Sequence, residues 1–169
     1  MGAKGNYGKE YYFDFQKKDP VARFILISPG CHFKVGGLFS YNKESKHYAW
    51  LSKQIDRARN SGIRWVIVGM HKNCLTAGLK SCEIGEDVLN LLAEKKVDLV
   101  LQGHEHNYQR SKALAISNAC PEIKPGSYHS ACVADAGTKD VFEKGAGAIM
   151  GNQIIRSIKR IPKPPTSPN

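Results

Sequence analysis

Apolar residues along this chain follow two rhythms, one of period two and one near 3.6, punctuated by Gly and Pro. Residues 10–15 (Glu-Tyr-Tyr-Phe-Asp-Phe) and 22–27 (Ala-Arg-Phe-Ile-Leu-Ile) read as strands. The polar turn Lys17-Lys18-Asp19-Pro20 joins them, and so short a connection makes them antiparallel neighbours. Pro29-Gly30 ends the second strand, and Gly36-Gly37 marks a flexible loop. Over 45–60, Tyr48, Leu51, Ile55 and Ala58 fall on one helical stripe, with Gly62 placed to cap it. Residues 63–68 form the next strand. The helical period returns over 81–96 through Val88, Leu91 and Leu92. Glu83, Glu86 and Asp87 near its start, and Lys95 and Lys96 near its end, suit a helix dipole. Residues 99–101 then read as a short buried strand. Strand, helix, strand over this length is a right-handed crossover, so 63–68 and 99–101 are parallel. Beyond them, 112–116 predicts a strand, and 118–144, rich in Gly, Pro and polar residues, a long surface loop. The fold class is layered α/β.

Each of the two parallel strands ends in Gly and then presents histidine. Val68-Gly69-Met70-His71 closes the first, and Gly103-His104-Glu105-His106 follows the second. Ligands of parallel sheets bind just beyond the carboxyl ends of the strands, where all three histidines fall. His104 and His106, two apart in extended chain, leave on the same side while Glu105 points away. Converging imidazoles suit a divalent ion, so His71, His104 and His106 are the candidate metal ligands. His32, His47 and His129 lack such a context and read as ordinary.

The 169 residues hold 25 Lys and Arg against 15 Asp and Glu, a net charge of +10. That balance favours anionic partners. The excess is spread along the chain, with one modest cluster at Arg156, Lys159, Arg160 and Lys163, and no nucleic-acid-binding signature accompanies it. A basic nucleic-acid-binding module is thus the weaker alternative. No apolar run approaches 18 residues, so no membrane span is predicted. If the protein is exported, the spacing of its cysteines pairs Cys74 with Cys82 and Cys120 with Cys132, leaving Cys31 over. In the alternative, Cys74, three residues after His71, is a soft metal ligand.

With Asn107-Tyr108-Gln109-Arg110 after the second histidine motif, the chain resembles the calcineurin-like metallophosphoesterases, in particular the purple acid phosphatase branch. The likeness extends over about residues 6–145, including Tyr48-Ala49-Trp50-Leu51 at the start of the first helix. It implies a β-sandwich flanked by helices, phosphate-ester hydrolysis and a two-metal site of Zn, Fe or Mn. By the same resemblance His71 and His104 bind one metal and His106 the other, while Tyr108 and Arg110 line the substrate pocket. The family's Asp-x-His, Gly-Asp and Gly-Asn-His motifs occur nowhere in these residues, so no catalytic residue is identified. The expectation is therefore the C-terminal part of such a domain over 1–150, followed by a basic Pro-rich tail over 151–169. Such a chain binds at most one ion tightly, acts on phosphate esters weakly or only binds metal or phosphate, and self-associates through open sheet edges. The parent protein is expected to be secreted, on its cysteine pattern.

Overall fold

The computed structural model describes residues 2–138 and 141–152. Ten strands and two helices follow in order: β1 Lys4–Asn6, β2 Glu10–Phe15, β3 Ala22–Leu26, β4 His32–Phe33, β5 Gly37–Leu38, α1 Lys46–Asn60, β6 Trp65–Gly69, α2 Glu86–Glu94, β7 Leu99–Gln102, β8 Gln109–Leu114, β9 Val133–Asp135 and β10 Ala148–Asn152. Eight of the strands form one mixed sheet ordered β1-β2-β3-β6-β7-β10-β8-β9, and β4 with β5 makes a separate hairpin. The four central strands, β3, β6, β7 and β10, run parallel; β2 and β8 flank them antiparallel, and β1 and β9 pair antiparallel with β2 and β8 in turn. The predicted β2–β3 pairing and the parallel β6–α2–β7 unit are both present.

Register sorts the side chains into two faces. Ile25, Val68, Val100 and Met150 sit abreast on one face and are buried beneath the helices. Phe13, Phe24, Ile67, Leu99 and Ile149 sit abreast on the other and are only half-buried, with Phe13 stacked on Phe24 at 5.1 Å. Parallel strands are ordinarily covered on both faces, so this row is the open side of the sheet.

Helix α1 starts where the Ser45 side chain accepts the Tyr48 N–H, and it ends in a Schellman turn. There Gly62 (φ 72°) donates to Arg59 and Ile63 donates to Ala58. Leu51 and Ile55 are fully buried. Leu51→Ala should cost about 2–5 kcal/mol, read as a lower urea midpoint at unchanged slope. A loss below about 1 kcal/mol would show the site able to collapse.

Several expectations change. The helix over 81–96 is shorter, because 81–84 are held extended ahead of Gly85 (φ 88°) by bonds to the loop after His71. The Gly36-Gly37 loop is instead the turn and second strand of a hairpin. The third antiparallel flank begins at Gln109, three residues before 112, and the 118–144 loop contains β9. His47, read as ordinary, is buried on α1: its Nδ1 lies 2.9 Å from both Glu10 carboxylate oxygens, and the Tyr41 hydroxyl donates to the same carboxylate at 2.9 Å. Burial, reinforced by Glu10, pushes the Tyr41 hydroxyl pKa well above its ordinary value. Strand β10 runs to Asn152, two residues past the boundary drawn at 150. The basic cluster and Pro-rich stretch lie outside the described residues.

Candidate metal centre

Strands β6 and β7 carry their pairing beyond their formal ends. Met70 N–H donates to Leu101 at 2.9 Å, and Gly103 N–H donates to His71 at 2.9 Å. The chain must pass very close at Gly103, where a Cβ would meet the His71 carbonyl oxygen at 3.1 Å and its ring at 3.4 Å. Glycine removes that obstacle. His104 then turns into the left-handed region at φ 66°, a conformation that costs a side-chain-bearing residue about 1–2 kcal/mol. The turn brings its ring across to the neighbouring strand.

As a result His71 Nε2 lies 3.2 Å from His104 Nδ1. Two nitrogens bound to one Zn²⁺ at about 2.0–2.1 Å in tetrahedral array sit roughly 3.3 Å apart. The imidazole pair fits a divalent ion. His106 is exposed and joins neither partner by a hydrogen bond. Among the described residues the three histidines do not bring three ligand atoms within 4.8 Å of one another; Cys120, His129 and Cys132 do, but both of those sulfurs are joined in a disulfide.

The loop between His71 and α2 has no regular structure yet is tied at many points. The buried Cys74 N–H donates to Gln102 Oε1 at 2.8 Å, and Gln102 Nε2 donates to Leu75 O. Lys80 N–H donates to Glu105 at 2.9 Å, so Glu105 points back into this loop and away from the imidazoles. Ala77 N–H donates to Gln109 at 2.6 Å. Cys74 is bonded to Cys82 and Cys120 to Cys132, with Cys31 free. The alternative role of Cys74 as a soft ligand is closed to a sulfur in that bond.

Glu83 is the residue that sequence reasoning missed. The helical period places it with the acidic residues at the start of the 81–96 helix, but its Oε2 lies 3.2 Å from His104 Nε2, on the edge of the ring opposite His71. Its position next to Cys82 was the available signal. Tyr108 is largely exposed, and Arg110 lies on β8 with its guanidinium 4.7 Å from the Phe142 ring centroid. Neither touches the imidazole pair. A cleft of about 500 Å³ crosses the carboxyl ends of β3, β6 and β7 beside His71, lined also by Lys9, Tyr11, Ser28 and Gly103. A larger cavity of about 850 Å³, beneath residues 119–133, includes none of the three candidate histidines.

The chain belongs to the calcineurin-like phosphoesterase family, matching it over residues 2–108, a span that includes all three histidines. It is 30% identical over 112 residues to purple acid phosphatase 15 of Arabidopsis thaliana, covering 62% of this chain and 21% of that protein. It is likewise 30% identical over 127 residues to a purple acid phosphatase of Glycine max, covering 71% of this chain and 27% of that one. The structure of a purple acid phosphatase from yellow lupin (Lupinus luteus) seeds superposes with a TM-score of 0.51 at 18% identity, over 85% of this chain and 22% of that one. The chain thus spans about a fifth to a quarter of the length of these relatives.

Proposed function

We propose that this chain carries part of a site for metal-dependent hydrolysis of phosphate esters, with His71 and His104 holding one ion and His106 available to a second. The observation that carries this reading is the 3.2 Å approach of His71 Nε2 to His104 Nδ1 at the ends of adjacent parallel strands. An ion there would supply Lewis acidity toward a phosphoryl oxygen and an attacking water. The chain's own residues do three things: the imidazoles bind, Gly103 permits their approach, and the Gln102, Glu105 and Gln109 side chains fix the loop that follows His71. No helix among the described residues is long and apolar enough to cross a membrane.

A second reading, binding of metal or phosphate without turnover, is favoured by one observation. Among the described residues the single carboxylate in contact with the imidazole pair faces the outer nitrogen of His104. A two-metal hydrolase needs a bridge between ions about 3.5–4 Å apart, and nothing beside the pair supplies one. We therefore expect about one tightly bound ion per chain and weak turnover. The test is release of p-nitrophenol from its phosphate mono- and diester with Zn²⁺, Mn²⁺ or Fe added, against EDTA, alongside metal stoichiometry. Metal-dependent turnover lost in His104→Ala supports hydrolysis by this chain. One bound ion with no turnover supports the second reading. A folded chain that binds neither an ion nor inorganic phosphate refutes both.

A further inference from the structure

We propose that Glu83 is a positioning residue, whose carboxylate holds the His104 imidazole with Nδ1 turned toward His71, and that the Cys74–Cys82 disulfide holds Glu83 there. The inference rests on the metal-site reading above and adds to it a residue outside the histidine motifs.

The His104 ring stands between two groups. Its Nε2 is 3.2 Å from Glu83 Oε2 and its Nδ1 is 3.2 Å from His71 Nε2. A carboxylate only accepts, and a neutral imidazole carries one N–H. The proton therefore belongs on Nε2, facing Glu83, and Nδ1 keeps its lone pair. In the metal-free chain that lone pair accepts the His71 Nε2–H; with an ion present it becomes a ligand. Histidines that bind metal commonly give their other N–H to a carboxylate, which fixes ring and tautomer. Glu83 Oε2 is shielded from solvent and has no aligned hydrogen-bond partner. A carboxylate oxygen left so is costly, and a small rotation of the ring toward it would satisfy it.

What places Glu83 is covalent and local. It lies ahead of α2, in the extended stretch before Gly85, where no helix fixes it. Cys82 beside it is bonded to Cys74, and the Glu83 N–H donates to Asn73 O at 2.9 Å. Cys74 N–H in turn is held by Gln102, two residues before His104. The loop leaving His71 is thus fastened to both the carboxylate and the strand that carries His104.

The test measures Zn²⁺ affinity by chelator competition, together with the His104 tautomer by ¹H–¹⁵N NMR of the metal-free chain at roughly pH 8.5, about two units above the reference imidazole value. Glu83→Ala is expected to weaken Zn²⁺ binding about 10–100-fold and to move His104 from the Nε2–H form to a mixture. Glu83→Gln, which keeps an acceptor oxygen, should restore most of both. The double variant Cys74→Ser/Cys82→Ser should shift both readouts in the direction of Glu83→Ala. If Glu83→Ala leaves the tautomer unchanged and affinity within twofold while His104→Ala abolishes binding, the role of Glu83 is refuted and the metal site stands. If the wild-type chain binds no Zn²⁺, the metal-site reading fails, and the tautomer alone decides whether Glu83 orients His104.

Discussion

Replacing His104 by alanine is expected to weaken Zn²⁺ binding by at least about a hundredfold. Structural zinc sites bind with about 10–16 kcal/mol shared over four ligands, so roughly 3 kcal/mol goes with each. At about 1.4 kcal/mol per tenfold, that is two orders of magnitude. The position also carries a backbone cost, because His104 sits at φ 66°. Glycine adopts that region freely whereas alanine does not. His104→Gly should therefore be at least as stable as His104→Ala to urea, by about 1 kcal/mol, while losing metal equally. The pair of variants separates ligand from backbone. An affinity within threefold of wild type in both would remove His104 from the site. His129→Ala, on an exposed residue beside the Cys120–Cys132 disulfide, should leave affinity unchanged.

Why the histidine pair could be found from sequence and Glu83 could not has a physical basis. His71 and His104 lie two residues and one residue beyond a Gly at the end of an apolar run, and a βαβ crossover forces such ends to the same edge of the sheet. Periodicity plus handedness is enough for that. Glu83 owes its place to the Cys74–Cys82 disulfide beside it and to its N–H bond to Asn73 O, 10 residues earlier, and it meets His104, 21 residues later, only on folding. Its place next to Cys82 separates it from Glu86, which does begin the helix, only once the Cys74–Cys82 pairing is in place. The same limit explains His47. Its helical position was readable, but its burial depends on Glu10, 37 residues earlier, arriving on the neighbouring strand. The β4–β5 hairpin and β9 escaped for a different reason: two- and three-residue strands carry too few alternations to register as a period.

A second large effect is expected at Arg23, where the fold commits a charge to its interior. Arg23 lies opposite Asp14 in the β2–β3 register, on the face that packs against α1. Its Nε and Nη2 donate to the two Asp14 oxygens at 2.6 and 2.8 Å, and its Nη1 donates to Gln54 O on α1 at 3.3 Å. The guanidinium also lies 4.2 Å from the centroid of the Tyr12 ring. One side chain thus joins two strands and a helix while only 7% exposed. Arg23→Ala leaves Asp14 without its bidentate partner and removes the second donor, beyond the helix's own N–H, from the Gln54 carbonyl. Breaking a buried pair from one side costs about 3–5 kcal/mol, and that loss should appear in the urea midpoint. The pair's net worth is a separate quantity. Removing both charges together, as Arg23→Met with Asp14→Leu, should be nearly neutral or even stabilising, because neither ion then needs to be desolvated. A single-variant loss below about 1 kcal/mol would mean water reaches Asp14 and screens it. A double variant as damaged as the single one would place the cost in the Gln54 and Tyr12 contacts rather than in the ion pair, since those are what the two variants share.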